Sequence, residues 1–165
     1  MYKILFICLG NICRSSAAEG VMREKLESEG LSDKVEVDSA GLIDYHEGEL
    51  SDPRMIKHAR KRGYNLYHRS RPIRNEDFSR FDMIIGMDDS NIKRLHNLAP
   101  SAGLSQKIHK MTEYSQEYSV SSVPDPYYGG ERDFEYVLDL LEDACEGLIL
   151  EVKERLSGSK DTKLN

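Results

Sequence analysis

A cysteine, an arginine and a serine lie close together near the start of the chain, in the pattern Cys8-x5-Arg14-Ser15. The residues that end at the cysteine, KILFIC, are apolar and β-branched, which is typical of a buried parallel strand. Apolar residues at helical spacing follow and predict a helix that begins at Arg14 or Ser15. A thiol and a guanidinium are therefore expected in one tight loop between a strand and a helix.

That loop has the composition of an anion site. A loop that closes from a strand onto the start of a helix turns its backbone N–H groups inward, and these groups and the helix dipole attract anions. Gly10 permits a tight backbone there, and Asn11 tolerates a left-handed conformation. An enclosed cysteine of this kind ionises readily, so Cys8 is expected to act as a thiolate. The planar fork of Arg14 can hold two oxygens of a tetrahedral anion, and the combination predicts covalent phosphoryl transfer.

Strand and helix patterns alternate along the rest of the chain. Further strands are predicted at KVEVDSAG, FDMIIGM and QKIHKM. Helices are predicted from Arg14 or Ser15 to Glu29, from Pro53 after a capping Asp52 to Gly63, at DDSNIKRLHNL, and along an apolar stripe from Phe134 to Val152. The alternation predicts an α/β fold: a three-layer sandwich with a four-stranded parallel sheet flanked by helices on both faces. Ligands of such sheets bind beyond the carboxyl ends of the strands, where Cys8 is placed.

Two stretches lack this periodicity. The segment from Tyr114 to Gly130 is rich in Ser, Pro, Asp and Tyr and predicts a long ordered loop, of a length that usually marks function. The last nine residues, SGSKDTKLN, resemble a frayed end. We therefore expect a single domain over residues 1–156 and a flexible C-terminal tail over residues 157–165.

Composition excludes several classes of protein. The chain has 165 residues, of which 39% are apolar, enough for one core without disulfide bonds. Its three cysteines are an odd number, which favours a reducing compartment, and the short apolar run at the start predicts neither a signal peptide nor a membrane span. A net charge of -6 argues against nucleic-acid binding. We expect a cytoplasmic monomer without contact to membranes or nucleic acids.

Four segments together resemble one known family. CLGNICRSS near the start, VDSAG after the second strand, GMDDSN after the third and DPYYG late in the chain closely resemble the low-molecular-weight protein tyrosine phosphatases. The resemblance spans residues 4–155, and it implies that Cys8 attacks phosphorus and carries a thiophosphate intermediate. It further implies that Arg14 and the loop hold the phosphate oxygens, the loop residues being Leu9, Gly10, Asn11, Ile12, Cys13 and Ser15. The hydroxyl of Ser15 would also donate to the sulfur and ease its departure.

The same resemblance assigns the residues around the loop. Asp125, in PDPYYGG, matches the general acid that protonates the leaving phenolate and then activates water. Tyr45, Tyr127 and Tyr128 match the aromatic walls of a slot that selects phosphotyrosine, since a phosphoserine is too short to reach the sulfur. Ser39 and His68 match positions that support the loop by hydrogen bonds. The implied partners are a phosphotyrosine-containing protein or a small aryl phosphate, with phosphate or a similar oxyanion as inhibitor.

Other interpretations of single residues stay open. Cys13 is either a core residue or, as the resemblance suggests, a thiol that traps oxidised Cys8 as a disulfide. Cys145 lies on an apolar helix stripe, which indicates a core residue. Asp88 and Asp89 are interpreted as helix caps. The remaining histidines lack the spacing of metal ligands, so neither a metal nor a cofactor is expected; these histidines are His46, His58, His96 and His109.

Three competing functions remain at this stage. Arsenate reductases of a similar fold need further cysteines for a thiol relay, and GMDDSNIKRLHNL contains none. Relatives that act on phosphoarginine carry a small polar residue where this chain has Ile12, whose apolar side chain suits a phenyl ring. A phosphotyrosine-binding module or a redox sensor without catalysis needs neither a nucleophile nor an acid, but the chain carries both Cys8 and Asp125. Hydrolysis of phosphotyrosine is the favoured prediction.

Overall fold

The central strand of the sheet, β1 (Tyr2–Cys8), carries the cysteine at its carboxyl end. The computed structural model describes residues 1–161, and residues 4–7 of this strand are fully buried. They are buried because β1 pairs in parallel with a strand on each side. Ile4 and Phe6 face one layer of helices, whereas Leu5 and Ile7 face the other, so the unbroken apolar run is what a two-sided core requires.

Helices and strands alternate after β1, as the sequence predicts. They are α1 (Arg14–Ser28), β2 (Val35–Gly41), α2 (Pro53–Lys61), α3 (Asn75–Arg80), β3 (Met83–Gly86), α4 (Asp89–Leu98), α5 (Ala102–Ser105), β4 (Ile108–Lys110), a 3₁₀ turn (Met111–Tyr114) and α6 (Glu131–Asp161). All strand pairs are parallel, in the order β2-β1-β3-β4. The chain passes from β1 to β2 on one side of it and later crosses to β3 on the other side, so the strand order reverses at β1. Such a switch point opens a crevice at the carboxyl end of the strand.

Helices cover both faces of the sheet, which confirms the predicted fold class. One core contains Val21 of α1, Met55 of α2 and Phe134 of α6, and the opposite core contains Phe78 of α3 and Leu95 of α4. The apolar stripe predicted for the last helix is buried along its whole length, from Phe134 to Val152. Within residues 1–161, no helix has both the length and the apolar content to cross a membrane.

Local chemistry fixes where the predicted helices start and stop. Oδ1 of Asp52 accepts the backbone N–H of Arg54 at 2.9 Å, and Pro53 follows as the first helical residue of α2. Gly63, just beyond this helix, has φ 91°, which a glycine adopts without strain. Oδ1 of Asp88 likewise caps α4 by accepting the N–H of Asn91 at 2.8 Å. The caps predicted at Asp52 and Asp88 are confirmed. The cap interpretation of Asp89 is wrong, because Asp89 is the first residue of α4 and its Oδ1 accepts from Lys110 Nζ at 2.8 Å.

The structure differs from the sequence-based prediction at three helices. The short helices α3 and α5 were not predicted, because each spans at most two turns and their sequences, NEDFSR and AGLS, contain few apolar residues. Helix α6 continues to Asp161, although the tail was predicted to begin at residue 157. Serine and glycine lower helix propensity only modestly, and without a proline they do not end a helix. The rest of the predicted tail, residues 162–165, lies outside the described residues.

Candidate active site

The loop between β1 and α1 uses its carbonyl groups and its amide groups differently. The carbonyl of Gly10 accepts from Ser70 Oγ at 3.0 Å, and the carbonyl of Ile12 accepts the N–H of Asp52 at 2.9 Å. By contrast, the backbone N–H groups of residues 10–13 donate to no acceptor within residues 1–161. Asn11 has φ 59°, the left-handed conformation expected for it. The loop thus keeps a set of amide donors for an anion.

A chain of side-chain hydrogen bonds runs behind this loop to the sulfur of Cys8. The backbone N–H of Arg71 donates to Oδ1 of Asn11 at 3.1 Å, and Nε2 of His68 lies 3.0 Å from the same oxygen. Because a backbone N–H only donates, this contact fixes the orientation of the amide, whose Nδ2 donates to Ser15 Oγ at 2.8 Å. The hydroxyl of Ser15 lies in turn 3.0 Å from Cys8 Sγ, within hydrogen-bond distance. The sulfur of Cys8 therefore lies beside a hydroxyl that is fixed through Asn11 by the backbone of Arg71.

Arg14 begins α1, and its guanidinium is almost completely buried. Nη1 donates to Oδ2 of Asp88 at 2.7 Å and to the carbonyl of Val123 at 3.1 Å, while Nη2 lies 3.7 Å from Oδ2 of Asp125. Burial lowers the pKa of Arg14, but the charges of Cys8, Asp88 and Asp125 outweigh burial and raise this pKa. A fixed cation therefore lies beside the amide donors.

Asp125 belongs to the long loop that the sequence predicted between Tyr114 and Gly130. Its Oδ1 accepts the N–H of Tyr127 at 3.1 Å, and its side chain is 44% exposed. The loop is held at its base, because the N–H of Val123 donates to the carbonyl of Met87 at 2.9 Å. The carboxyl group of Asp125 therefore stands at the mouth of the site, in contact with Arg14 and accessible to solvent.

These groups line one cavity of about 300 Å³ at the carboxyl end of β1. It is bounded by the loop after β1, by the loop after β2 and by the segment that carries the acid. Its lining consists of Cys8, Leu9, Gly10, Ile12, Cys13, Arg14, Ile43, Tyr45, His46, Asp125, Tyr127 and Tyr128. Of the predicted loop residues, Asn11 and Ser15 lie behind this surface and support it through the hydrogen bonds described above.

The walls of the cavity are aromatic, as the sequence predicted. The rings of Tyr127 and Tyr128 meet edge to face with centroids 4.9 Å apart. Tyr127 packs partly against the core, while Tyr128 is 95% exposed and Tyr45, on the opposite loop, is 80% exposed. An imidazole, His46, lies between the two walls, with ring centroids 4.8 Å from Tyr45 and 6.4 Å from Tyr127. The side chains around the mouth of the cavity therefore offer aromatic rings for contact with a ligand.

Comparison with known proteins gives the same interpretation as the geometry. The family model described as low molecular weight phosphotyrosine protein phosphatase matches residues 3–158. A low molecular weight protein-tyrosine-phosphatase of Streptomyces coelicolor is 40% identical over 95% of this chain and 97% of its own. A crystal structure of a protein tyrosine phosphatase from Entamoeba histolytica, with Hepes in its active site, has 47% identity and a TM-score of 0.91 over 93% of this chain and 98% of its own.

The chain belongs to the low molecular weight phosphotyrosine protein phosphatase family. The sequence-based assignment is confirmed, and with it the activity of a protein-tyrosine phosphatase, a hydrolase that works through a cysteinyl-phosphate intermediate. The structural comparison extends to a Drosophila arginine phosphatase, with 29% identity and a TM-score of 0.86 over 92% of this chain and 98% of its own. The fold is therefore shared by phosphatases of more than one named specificity.

The two supporting residues of this phosphatase act at different distances from the loop. His68 contacts Asn11 directly. Ser39, by contrast, donates its hydroxyl to Oε1 of the buried Glu19 at 2.9 Å, and this same oxygen lies 3.3 Å from Nδ1 of His68. Ser39 therefore supports the loop only through Glu19 and His68.

Three of the groups behind the loop are close enough to share a cation. The ligand atoms of Glu19, Asp38 and His68 lie within 4.8 Å of one another. Each carboxylate already has positive or N–H partners, however: Glu19 pairs with Arg23, and Oδ2 of Asp38 accepts from Arg71 Nη2 at 3.0 Å. The cluster is thus satisfied by protein donors and serves to orient His68.

Sequence reasoning missed four residues of the phosphatase site, of which Ile43 lines the cavity with its apolar side chain. Asp88 was interpreted as a cap alone, yet one carboxylate oxygen caps α4 and the other holds Arg14. His46 gave no signal because only metal-ligand spacing was sought, and it lines the cavity. Arg54 was counted as part of a helix start, but it contacts the carbonyls of Tyr127 and Gly129. The contacts of Asp88 with Arg14, and of His46 and Arg54 with Tyr127, join residues that are distant in sequence. No local sequence pattern indicates such contacts.

The other two cysteines of the phosphatase are buried free thiols. Cys145 lies in the hydrophobic core, as predicted, and burial raises its pKa to about 12. Cys13 also packs in the core and lines the floor of the cavity. Burial, and then the charges of Asp52 and Cys8, raise the pKa of Cys13 well above its usual range. Cys13 is therefore a neutral thiol at rest, and its role as a trap for oxidised Cys8 stays a hypothesis.

Proposed function

We propose that this protein hydrolyses phosphotyrosine and small aryl phosphates, with Cys8 as nucleophile, Arg14 as phosphate ligand and Asp125 as general acid. One observation carries the proposal: a single cavity is lined by all three residues, although more than a hundred residues of chain separate Asp125 from the other two. A buried thiol or a turn aspartate alone would not require this convergence. The family membership supports the same assignment.

The first step transfers the phosphoryl group to sulfur. The Cys8 thiolate attacks phosphorus in line, and the bond from phosphorus to the phenolic oxygen breaks as the S–P bond forms. The guanidinium of Arg14 and the amides of the loop bind the three equatorial oxygens, where charge accumulates in the transition state. Asp125 gives its proton to the departing phenolate oxygen. Its exposure and its place at the mouth support this role, because the leaving group must depart toward solvent.

The second step returns the enzyme to its starting state. Asp125, now a carboxylate, takes a proton from a water molecule as that water attacks phosphorus. The S–P bond breaks, and inorganic phosphate leaves. Sulfur departs as a thiolate, which the hydroxyl of Ser15 stabilises through the hydrogen bond at 3.0 Å.

The shape of the cavity supports an aryl substrate over its competitors. Tyr45 and Tyr127 offer faces for a phenyl ring, and Ile12, which is almost fully buried, adds an apolar floor. An alkyl or guanidino phosphate would leave these apolar surfaces exposed to water. The cysteines do not favour an arsenate reductase, which needs further thiols for a relay. In the described chain, the cavity is lined by only two thiols, those of Cys8 and Cys13, and Cys145 lies in the core.

A comparison of four substrates tests the proposal. Purified protein is expected to turn over phosphotyrosine, to release little phosphate from phosphoserine or phosphoarginine, and not to reduce arsenate. Cys8→Ser is expected to abolish turnover while inorganic phosphate still binds, because the amides and Arg14 remain. Preferred turnover of phosphoarginine would reassign the substrate, and full activity of Cys8→Ser would exclude the covalent mechanism.

Further assignments remain predictions. The protein is expected to act on a phosphotyrosine-containing protein, to be inhibited by phosphate and similar oxyanions, and to work as a monomer in the cytoplasm without a metal or cofactor. The match of the family model to residues 3–158 supports a single phosphatase domain close to the predicted range of 1–156.

A further inference from the structure

Arg54, in the first turn of α2, connects two parts of the active site without lining the cavity. Its Nη2 donates to the carbonyl of Tyr127 at 2.8 Å, and its Nη1 lies 3.4 Å from the carbonyl of Gly129. The guanidinium lies over the ring of Phe134 in α6, 4.7 Å from its centroid. An arginine held on an aromatic face has its plane fixed, so its N–H groups point in defined directions.

The other side of Arg54 is held by Asp52. Nε and Nη2 of the arginine donate to the two carboxylate oxygens at 3.1 and 2.9 Å. Asp52 is itself buried, and its backbone N–H donates to the carbonyl of Ile12 in the phosphate loop at 2.9 Å. Burial alone would raise the pKa of Asp52, but the hydrogen bonds from Arg54 outweigh it and lower this pKa. The pair is therefore an ionised, bidentate bridge.

The loop that carries the acid has few other attachments. Within residues 124–129, the remaining backbone hydrogen bonds are local: the N–H of Gly129 donates to Pro126, and the N–H of Tyr127 donates to Asp125. In the described chain, Arg54 thus makes the only hydrogen bonds that join the backbone of this segment to another element. The ion contact between Asp125 and Arg14, at 3.7 Å, is the remaining polar link.

We propose that Arg54 is a positioning residue for proton transfer: through Asp52 and the carbonyls of Tyr127 and Gly129, it fixes the loop of the general acid relative to the phosphate loop. The inference rests on the proposed role of Asp125. A general acid must lie within hydrogen-bond reach of the leaving oxygen, and small misplacements of a reacting group are costly. Arg54 therefore acts on the step that protonates the leaving group and leaves phosphate binding unchanged.

The leaving group distinguishes this role from a general structural one. The phenolate of phenyl phosphate needs protonation in order to leave, whereas the 2,4-dinitrophenolate of 2,4-dinitrophenyl phosphate leaves without it. Arg54→Met keeps an apolar contact with Phe134 and removes the hydrogen bonds. It is expected to lower kcat/KM for phenyl phosphate about tenfold or more, and for the dinitrophenyl ester less than about threefold. Arg54→Lys should recover part of the loss. Arg60→Met, an exposed arginine of the same helix, serves as the matched control and should match the wild type.

A double-mutant cycle with Asp125→Asn completes the test. If Arg54 works through Asp125, adding Arg54→Met to Asp125→Asn changes kcat/KM for phenyl phosphate little, since the acid is already gone. Multiplied losses, or equal losses on both esters, would overturn the proposal, and so would wild-type kinetics in Arg54→Met. If the wild-type protein hydrolyses neither ester, the proposed function itself fails. If Asp125→Asn slows phenyl phosphate selectively while Arg54→Met does not, only the role of Arg54 fails. Urea unfolding of each variant confirms that it is folded.

Discussion

At the scale of single residues, two cysteines five positions apart have opposite surroundings. Cys8 Sγ lies 3.0 Å from the hydroxyl of Ser15, and the oxygen of this hydroxyl accepts from the amide of Asn11 at 2.8 Å. Cys13 receives no such donor among the described residues, and burial raises its pKa. Cys13 therefore stays protonated, whereas the contact with Ser15 suits Cys8 to its proposed role as nucleophile and leaving group. Among the described residues, the side-chain contact with Ser15 thus distinguishes Cys8 from Cys13.

Ser15→Ala tests the direct donor to the sulfur. A hydrogen bond to a charged acceptor contributes about 1.5–3 kcal/mol, so kcat is expected to fall about 10- to 100-fold. The loss should be larger for hydrolysis of the thiophosphate, in which sulfur departs, and a burst of phenol before steady state should become visible. Ser16→Ala is the control, because this buried neighbour donates to the carbonyl of Cys13 at 3.4 Å and not to the sulfur. Equal losses in both variants would mean that loop packing, rather than the donor, is responsible.

At the scale of helices and strands, apolar periodicity located every element that contributes a long buried face. It found β1 from an unbroken run of apolar residues and α6 from apolar residues that recur at helical spacing over many positions. It missed α3, which has one large buried apolar residue, Phe78. That helix is stabilised by Asp77, whose Oδ2 accepts the N–H of Arg74 at 2.8 Å and lies 2.9 Å from Nη1 of Arg71. Arg71 also pairs with Asp38 of β2, so tertiary contacts rather than local sequence hold α3.

Helices α2 and α6 are joined by a polar cluster around Arg62, which lies just beyond α2. Its guanidinium contacts three carboxylates of α6, those of Glu135, Asp139 and Glu142. Nδ1 of His58 lies 2.6 Å from Oε1 of Glu135. Hydrogen bonds from His58 and then Arg62 lower the pKa of Glu135 below its ordinary value of 4.5. The carboxylate therefore stabilises the native state above this ordinary value, and the contribution is lost as the pH falls through the lower native pKa.

Glu135→Gln is expected to reduce the free energy of unfolding at pH 7 by about 0.5–1 kcal/mol, a modest amount because the side chain is partly exposed and screened by solvent. The difference between variant and wild type should shrink as the pH falls from 4.5 through the lowered native pKa, because the wild-type carboxylate then becomes protonated as well. Urea unfolding at several pH values measures it. Glu131→Gln is the control, since Glu131 lies 3.9 Å from Lys57 and both side chains are exposed. A constant difference at all pH values would indicate that shape, not charge, determines the effect.

At the scale of the whole molecule, the active site is assembled from segments that meet only in the folded chain. The phosphate loop could be predicted from the sequence, because Cys8, Asn11 and Arg14 lie in one short segment with a distinctive spacing. Asp125 could be placed only through resemblance to a family, since nothing local connects it to Arg14. The roles of Asp88 and Arg54 could not be predicted at all. They depend on Arg14 and on the carbonyl of Tyr127, which are distant in sequence and meet these residues only in the folded chain.

This assembly predicts that an oxyanion stabilises the entire fold. Phosphate binds the native loop and not the unfolded chain, so it should add RT ln(1 + [L]/Kd), about 2.7 kcal/mol at a hundred times Kd, or a rise in Tm of about 5–10 °C. The rise is expected despite the net charge of -6, because Arg14 and the amides act at contact distance while the surface charge is screened by salt. Cys8→Ser should keep the response to phosphate. Arg14→Lys should reduce it, because the ammonium of a lysine cannot bind two phosphate oxygens at once as the planar guanidinium of an arginine does. Thermal unfolding with phosphate, compared with chloride at equal ionic strength, measures the effect. An identical response to chloride, or an undiminished one in Arg14→Lys, would show that the loop is not where phosphate binds.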